Sequence, residues 1–115
     1  MINKLNSIIV LTLLIGVFYV NYKSFISSPF QAALLQDWNK QSYRLPLDLI
    51  EQVDLDFPNI SVTTIPLKLL KGRYYKNIDS IDLALNYYHE SLKINPYLKI
   101  VESQLSLLYF DIEEY

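Results

Sequence analysis

No charged residue stands between Lys4 and Lys23, and the eighteen residues from Leu5 to Tyr22 read LNSIIVLTLLIGVFYVNY. From Ile8 to Val20 only Thr12 and Gly16 interrupt the apolar run. As a helix rising ~1.5 Å per residue, this stretch spans about 27 Å, close to the hydrocarbon thickness of a bilayer. A helix that is apolar on every side needs lipid or a thick protein shell around it. A chain of 115 residues has no second layer large enough to be that shell. Tyr19 and Tyr22 suit an aromatic interfacial belt at one end, and Asn3, Asn6 and Asn21 mark polar edges. Residues 5–22 therefore read as a membrane-spanning anchor, with the lipid bilayer as the first partner.

Two other readings fit less well. A cleavable signal peptide shares the basic start and the apolar run but ends in small residues at an A-x-A-like site, and YVNYKSF offers none. A lipoprotein signal needs cysteine, and the chain has none. That absence also removes disulfide frameworks, thiolate nucleophiles and cysteine zinc sites. Flanking positive charge barely differs between the two ends of the span. The short leading tail and the larger part that follows favour N-inside, C-outside; in a bacterium this is a single-pass inner-membrane protein with its C-terminal part in the periplasm.

After Lys23 the apolar residues become periodic, and residues 24–115 carry eight basic and twelve acidic side chains, a net −4. This balance argues against a nucleic-acid binder working through a basic surface. SSPFQAALLQDWNKQ predicts a helix capped by Ser28, with Pro29 in its first turn and Phe30, Leu34, Leu35 and Trp38 along one side. RLPLDLIEQVDLDFPN predicts a short helix from Pro46, carrying Leu47, Ile50 and Val53 and stopped by Pro58. ISVTTIP, from Ile60 to Pro66, reads as an extended connector. LKLLKGRYYKN, SIDLALNYYHESLKIN and YLKIVESQLSLLYFDI then predict three amphipathic helices, with Ser80 capping the second and Asn95-Pro96 ending it.

Gly72 and Ser106, Tyr75 and Tyr109, and Ile81 and Tyr115 each stand 34 residues apart, and Ala84, Tyr88, Ser91 and Pro96 fall between them. With these residues, the stretch from Lys71 to Pro96 resembles the tetratricopeptide repeat family, and ESQLSLLYFDIEEY resembles the first helix of a following repeat. The resemblance covers about one and a half repeats over residues 65–115. It implies that Gly72 and Ala84 face each other where two helices meet and that Tyr75 and Tyr88 fill the space between them. Departures are Lys68 and Lys71 in the opening turn, where the family has a large residue and a leucine, and the absence of glycine at the turn near Asp79. Residues 23–64 read as a helical linker or as a degenerate repeat, the prolines Pro58 and Pro96 being 38 apart rather than 34.

Chemistry-bearing clusters are few. His89 is the lone histidine and reads as a solvent-facing helix residue. Asp54-Leu55-Asp56 has the acid-x-acid form of metal-binding sugar transferases, but three residues read equally as a charged helix end. With Gly16 and Gly72 the only glycines, no phosphate-binding glycine loop exists. Lys68, Lys71, Arg73 and Lys76 read as a solvated face. No catalytic residue, cofactor, metal or small-molecule substrate is expected.

The tetratricopeptide resemblance implies a concave surface lined by first helices, which places Leu69, Arg73, Lys76, Asn77, Ser103, Leu107 and Phe110 on it. Separately, Leu105, Leu107, Leu108 and Phe110 are too many apolar side chains for one preceding hairpin to cover. Either another chain covers Leu107, Leu108 and Phe110, or a longer chain continues over them. The expectation is an all-α protein: one membrane helix followed by a small helical-hairpin domain, acting as a non-enzymatic interaction module or small subunit of a membrane complex. The runner-up is the non-catalytic C-terminal tail of a bacterial O-antigen-ligase-like or polysaccharide-polymerase-like membrane protein, which the order of anchor, FPN linker and NPY-containing repeat resembles.

Overall fold

The computed structural model describes residues 3–113 and is all-α, with no strand among the described residues. Five helices follow one another: α1 Lys4–Lys40, α2 Leu47–Gln52, α3 Leu67–Asn77, α4 Ile81–Ile94 and α5 Lys99–Glu113. Tyr115, the far member of one 34-residue pair, lies outside the described residues.

Contrary to the expected start at Ser28, α1 has no break there: a single helix of 37 residues runs through Pro29. Proline's φ of about −65° suits a helix, and what it removes is one amide donor to the carbonyl four residues earlier. Phe25, which carries that carbonyl, is largely exposed, so water can take the lost donor's place. At ~1.5 Å per residue α1 is about 56 Å long, more than a bilayer core is thick. Its N-terminal half projects beyond the rest of the fold, with the residues from Leu5 to Phe18 exposed. Among the described residues one helix, near the N-terminus, is long and apolar enough to cross a membrane.

The C-terminal half of α1 is part of a packed head. Leu34 joins Ile50 of α2, Leu55, and Leu67, Leu70 and Tyr74 of α3 in one core. The other side of α3 contributes Leu69 and Tyr75 to a second core with Ala84 and Tyr88 of α4 and Val101, Leu105 and Leu108 of α5. Buried on both sides, α3 is the central element. Loops of three and four residues make α3, α4 and α5 successive antiparallel neighbours, as helix connections this short dictate.

Three local expectations need adjustment. Ser80 occupies the N-cap position of α4, but its side chain makes no capping bond; its carbonyl accepts from the Ala84 amide at 3.0 Å. Residues 60–66 are not an extended connector but a tight reversal. There the Ser61 amide donates to Ile65 at 2.9 Å, and Thr64 takes a left-handed φ of 66°. Gly72 faces Tyr88 rather than Ala84: a Cβ placed on it meets the Tyr88 ring at 2.7 Å and the Tyr87 Cβ at 3.1 Å. Asp79 holds φ 58° at the α3–α4 turn, where a glycine is the unstrained choice.

Candidate functional site

The expected binding residues divide by where α3 and α5 turn them. Leu69 and Leu108 are 0% exposed and belong to the α3–α4–α5 core, so neither is a partner contact. The reason is helical register. Val101, Leu105 and Leu108 repeat at i, i+4 and i+7 on the side of α5 that meets α3 and α4, while Ser103, Leu107 and Phe110 repeat at the same spacing on the opposite side. Leu107 and Phe110 accordingly remain 53% and 58% exposed. Asn77 and Ser103 are exposed as well.

The four cations of α3 are not a solvated face. Lys68 donates to Glu90 at 2.7 Å and pairs with Asp56 at 3.0 Å. Its hydrogen bonds to Glu90 and then to Asp56 outweigh burial and raise its pKa, and the Lys68 bond likewise lowers that of Glu90. Lys71 is nearly buried, with its ammonium 5.0 Å from the centre of the Tyr87 ring. Arg73 stacks its guanidinium over Trp38 at 4.2 Å and donates to the Tyr43 hydroxyl at 3.3 Å. Lys76 bridges to Asp111 of α5 at 2.5 Å. Arg73 and Lys76 therefore hold the head together on its own account: Arg73 ties α3 to α1, and Lys76 ties α3 to α5.

The acid-x-acid triplet is likewise engaged internally. Asp54 pairs with Lys23 at 2.6 Å, Leu55 is buried, and Asp56 pairs with Lys68. Among the described residues no group of three acidic, histidine or cysteine side chains comes together as a metal site. His89 is exposed, as expected, and its Nε2 lies 3.1 Å from the Tyr109 hydroxyl, linking α4 to α5 at the surface.

Among the expected binding residues, those that stay exposed on α5 form an outward stripe, Ser103, Leu107 and Phe110, flanked at its start by the partly buried Ile100. Ile112 continues the core-facing row of α5 but is 40% exposed. The two large side chains of this stripe, Leu107 and Phe110, are apolar and offer contact area.

A different relationship escaped the sequence reading. The Phe57 ring lies parallel to Tyr19, centroids 6.3 Å apart and planes within 2°. It joins the loop after α2 to the end of the apolar half of α1. Nothing in FPN marks this contact, since it joins residues 38 positions apart on the strength of tertiary packing alone.

No protein-family model, curated protein or solved structure matches this chain.

Proposed function

We propose that the protein is a non-enzymatic, membrane-anchored interaction module, a scaffold or small subunit that holds a partner protein close to the bilayer. The observation that carries this reading is the division of α1: one continuous helix whose N-terminal half is apolar and exposed from Leu5 to Phe18 and whose C-terminal half is built into a folded head. Because no flexible joint separates the halves, whatever fixes the first also fixes the second. The exposed Leu107 and Phe110 on the outer side of α5 are the contact surface for the partner, and the α3–α4 hairpin with α5 stacked on it supports a tetratricopeptide-like head.

Alkaline carbonate extraction of native membranes, followed by sequencing of the retained N-terminus and purification of the anchored protein, tests both parts. The module reading expects an uncleaved chain that stays in the membrane and copurifies with one stoichiometric protein. A soluble product beginning near residue 23 removes the anchor. A retained chain that purifies alone, as a monomer, removes the partner.

A further inference from the structure

Lys23 and Tyr19 are one helical turn apart on the same side of α1, and the loop after α2 contacts them in reverse order: Asp54 bonds Lys23 at 2.6 Å, and Phe57 stacks on Tyr19. Between Asp54 and Phe57 the chain therefore descends along α1 by about 6 Å, toward the apolar half. It stops level with Tyr19, the position at which an aromatic belt sits when the apolar half spans a bilayer. The Phe57 ring has one flank on Tyr19 and is still 41% exposed, although it is among the most apolar side chains of the head.

The same end of the head gathers other exposed apolar groups. Lys68 at the start of α3 pairs with Asp56, while Tyr74 further along α3 bonds Asp37 high on α1, so α3 runs parallel to α1 and begins at the end nearest the span. The antiparallel α4 then returns to that end. There the Asn95 side chain donates to the Thr64 carbonyl at 3.3 Å, placing the α4–α5 turn beside the 60–66 reversal. Val62 and Tyr97, on these two turns, are 87% and 90% exposed. The opposite end, at the α3–α4 turn, carries Ile78.

Taking α1 as the anchor proposed above, we propose that the loop of residues 54–58 seats the head on the bilayer, with the Phe57 ring in the boundary between headgroups and acyl chains. The partner of this surface is the lipid interface itself. An aromatic ring beside a tyrosine is the chemistry that zone accepts, and the Lys23–Asp54 pair stays at headgroup level, where both charges keep contact with water. The loop converts a single-point anchor into a two-point seat and limits how far the head tilts away from the membrane.

The test uses the full chain in phosphatidylcholine–phosphatidylglycerol vesicles, with one new tryptophan per variant at Leu13, Phe57 or Ile78, Trp38 remaining as a constant background. Lipids brominated near the chain ends, lipids brominated near the top of the chains, and aqueous iodide act as quenchers of increasing distance from the bilayer centre. Expected are loss of Leu13→Trp emission to the deep lipid, of Phe57→Trp emission to the shallow lipid, and of Ile78→Trp emission to iodide alone. If Phe57→Trp follows Ile78→Trp while Leu13→Trp is quenched from within the bilayer, the seat is wrong and the anchor stands. If Leu13→Trp emission is lost only to iodide, the anchor is wrong and the seat falls with it.

Discussion

The Tyr74 hydroxyl of α3 donates a hydrogen bond to the Asp37 carboxylate of α1, and the two residues are buried together where the long helix meets the head. Asp37 also accepts from the Arg44 amide at 2.9 Å and the Ser42 hydroxyl at 3.0 Å, so one carboxylate closes the end of α1 and fastens α3 to it. Burial raises the Asp37 pKa, but the bonds from Tyr74, the Arg44 amide, Ser42 and the Leu45 amide together outweigh it and hold it below the ordinary value. Folded Asp37 thus binds its proton less tightly than the unfolded side chain does. Its contribution is complete above the unfolded value of about 4 and is lost as pH falls through the lower folded value. Tyr74→Phe should cost about 1.5–3 kcal/mol at neutral pH, the range for a hydrogen bond to a charged group. Asp37→Asn should flatten the acid limb of the stability profile. Urea melts across pH 3–7 measure both, and an unchanged acid limb in Asp37→Asn would mean that other carboxylates govern it.

Tyr88 is fully buried, and its hydroxyl has no hydrogen-bond partner among the described residues. A buried unsatisfied polar group costs about 1–3 kcal/mol, so Tyr88→Phe should raise the melting temperature rather than lower it. The same ring rests against Gly72. For Gly72→Ala two effects compete: helix propensity gains about 1 kcal/mol, while a methyl 2.7 Å from a ring with nowhere to move brings an overpacking cost of about 1–3 kcal/mol. Overpacking should win, and the paired variant Gly72→Ala/Tyr88→Leu should recover part of the loss. Thermal melts of the three variants decide it.

Alkaline pH should unfold the head through its tyrosines. Burial pushes Tyr88 up to about 12, and burial followed by the hydrogen bond to Glu51 pushes Tyr75 up to about 12. In each case the folded state holds the proton that the unfolded chain, with an ordinary value of about 10, has begun to release. Stability is therefore full below pH ~10 and falls as pH rises toward 12. A far-ultraviolet circular dichroism titration should show helix loss in that window, with phenolate absorbance rising in step.

Helix type and order could be read from residue spacing, and the uncovered apolar half of α1 could be read from its lack of charge. What escaped was set by contacts distant in sequence. Ser28-Pro29 has the residue chemistry of a helix start, yet α1 runs through it, since proline's φ suits a helix and its ring removes a single amide donor. Asp37 sits in a run, LLQDW, whose period predicts only an apolar stripe, and its partner Tyr74 lies 37 residues on. The α3 cations read as solvated because no local pattern reveals that Trp38, Asp56, Glu90 and Asp111 converge on them. On α5 the apolar content is legible, but which of Leu107, Leu108 and Phe110 faces the core is fixed by the packing of α3 and α4 against Leu108.

That division supplies the sharpest test of the contact surface. Leu108 is core, so Leu108→Ala should destabilise the head by about 2–5 kcal/mol, the range for emptying a buried leucine site. Leu107 and Phe110 point away from that core, and Leu107→Ser/Phe110→Ser should shift stability by no more than about 0.5 kcal/mol per site. If the outer stripe of α5 is the partner contact, the double variant keeps its helix content and loses the copurifying protein, because buried apolar anchors dominate interface energies. Circular dichroism and membrane pull-down on the same preparations separate the possibilities. A double variant that unfolds places Leu107 and Phe110 in the domain's own core; one that folds and retains its partner moves the contact to another surface of the head.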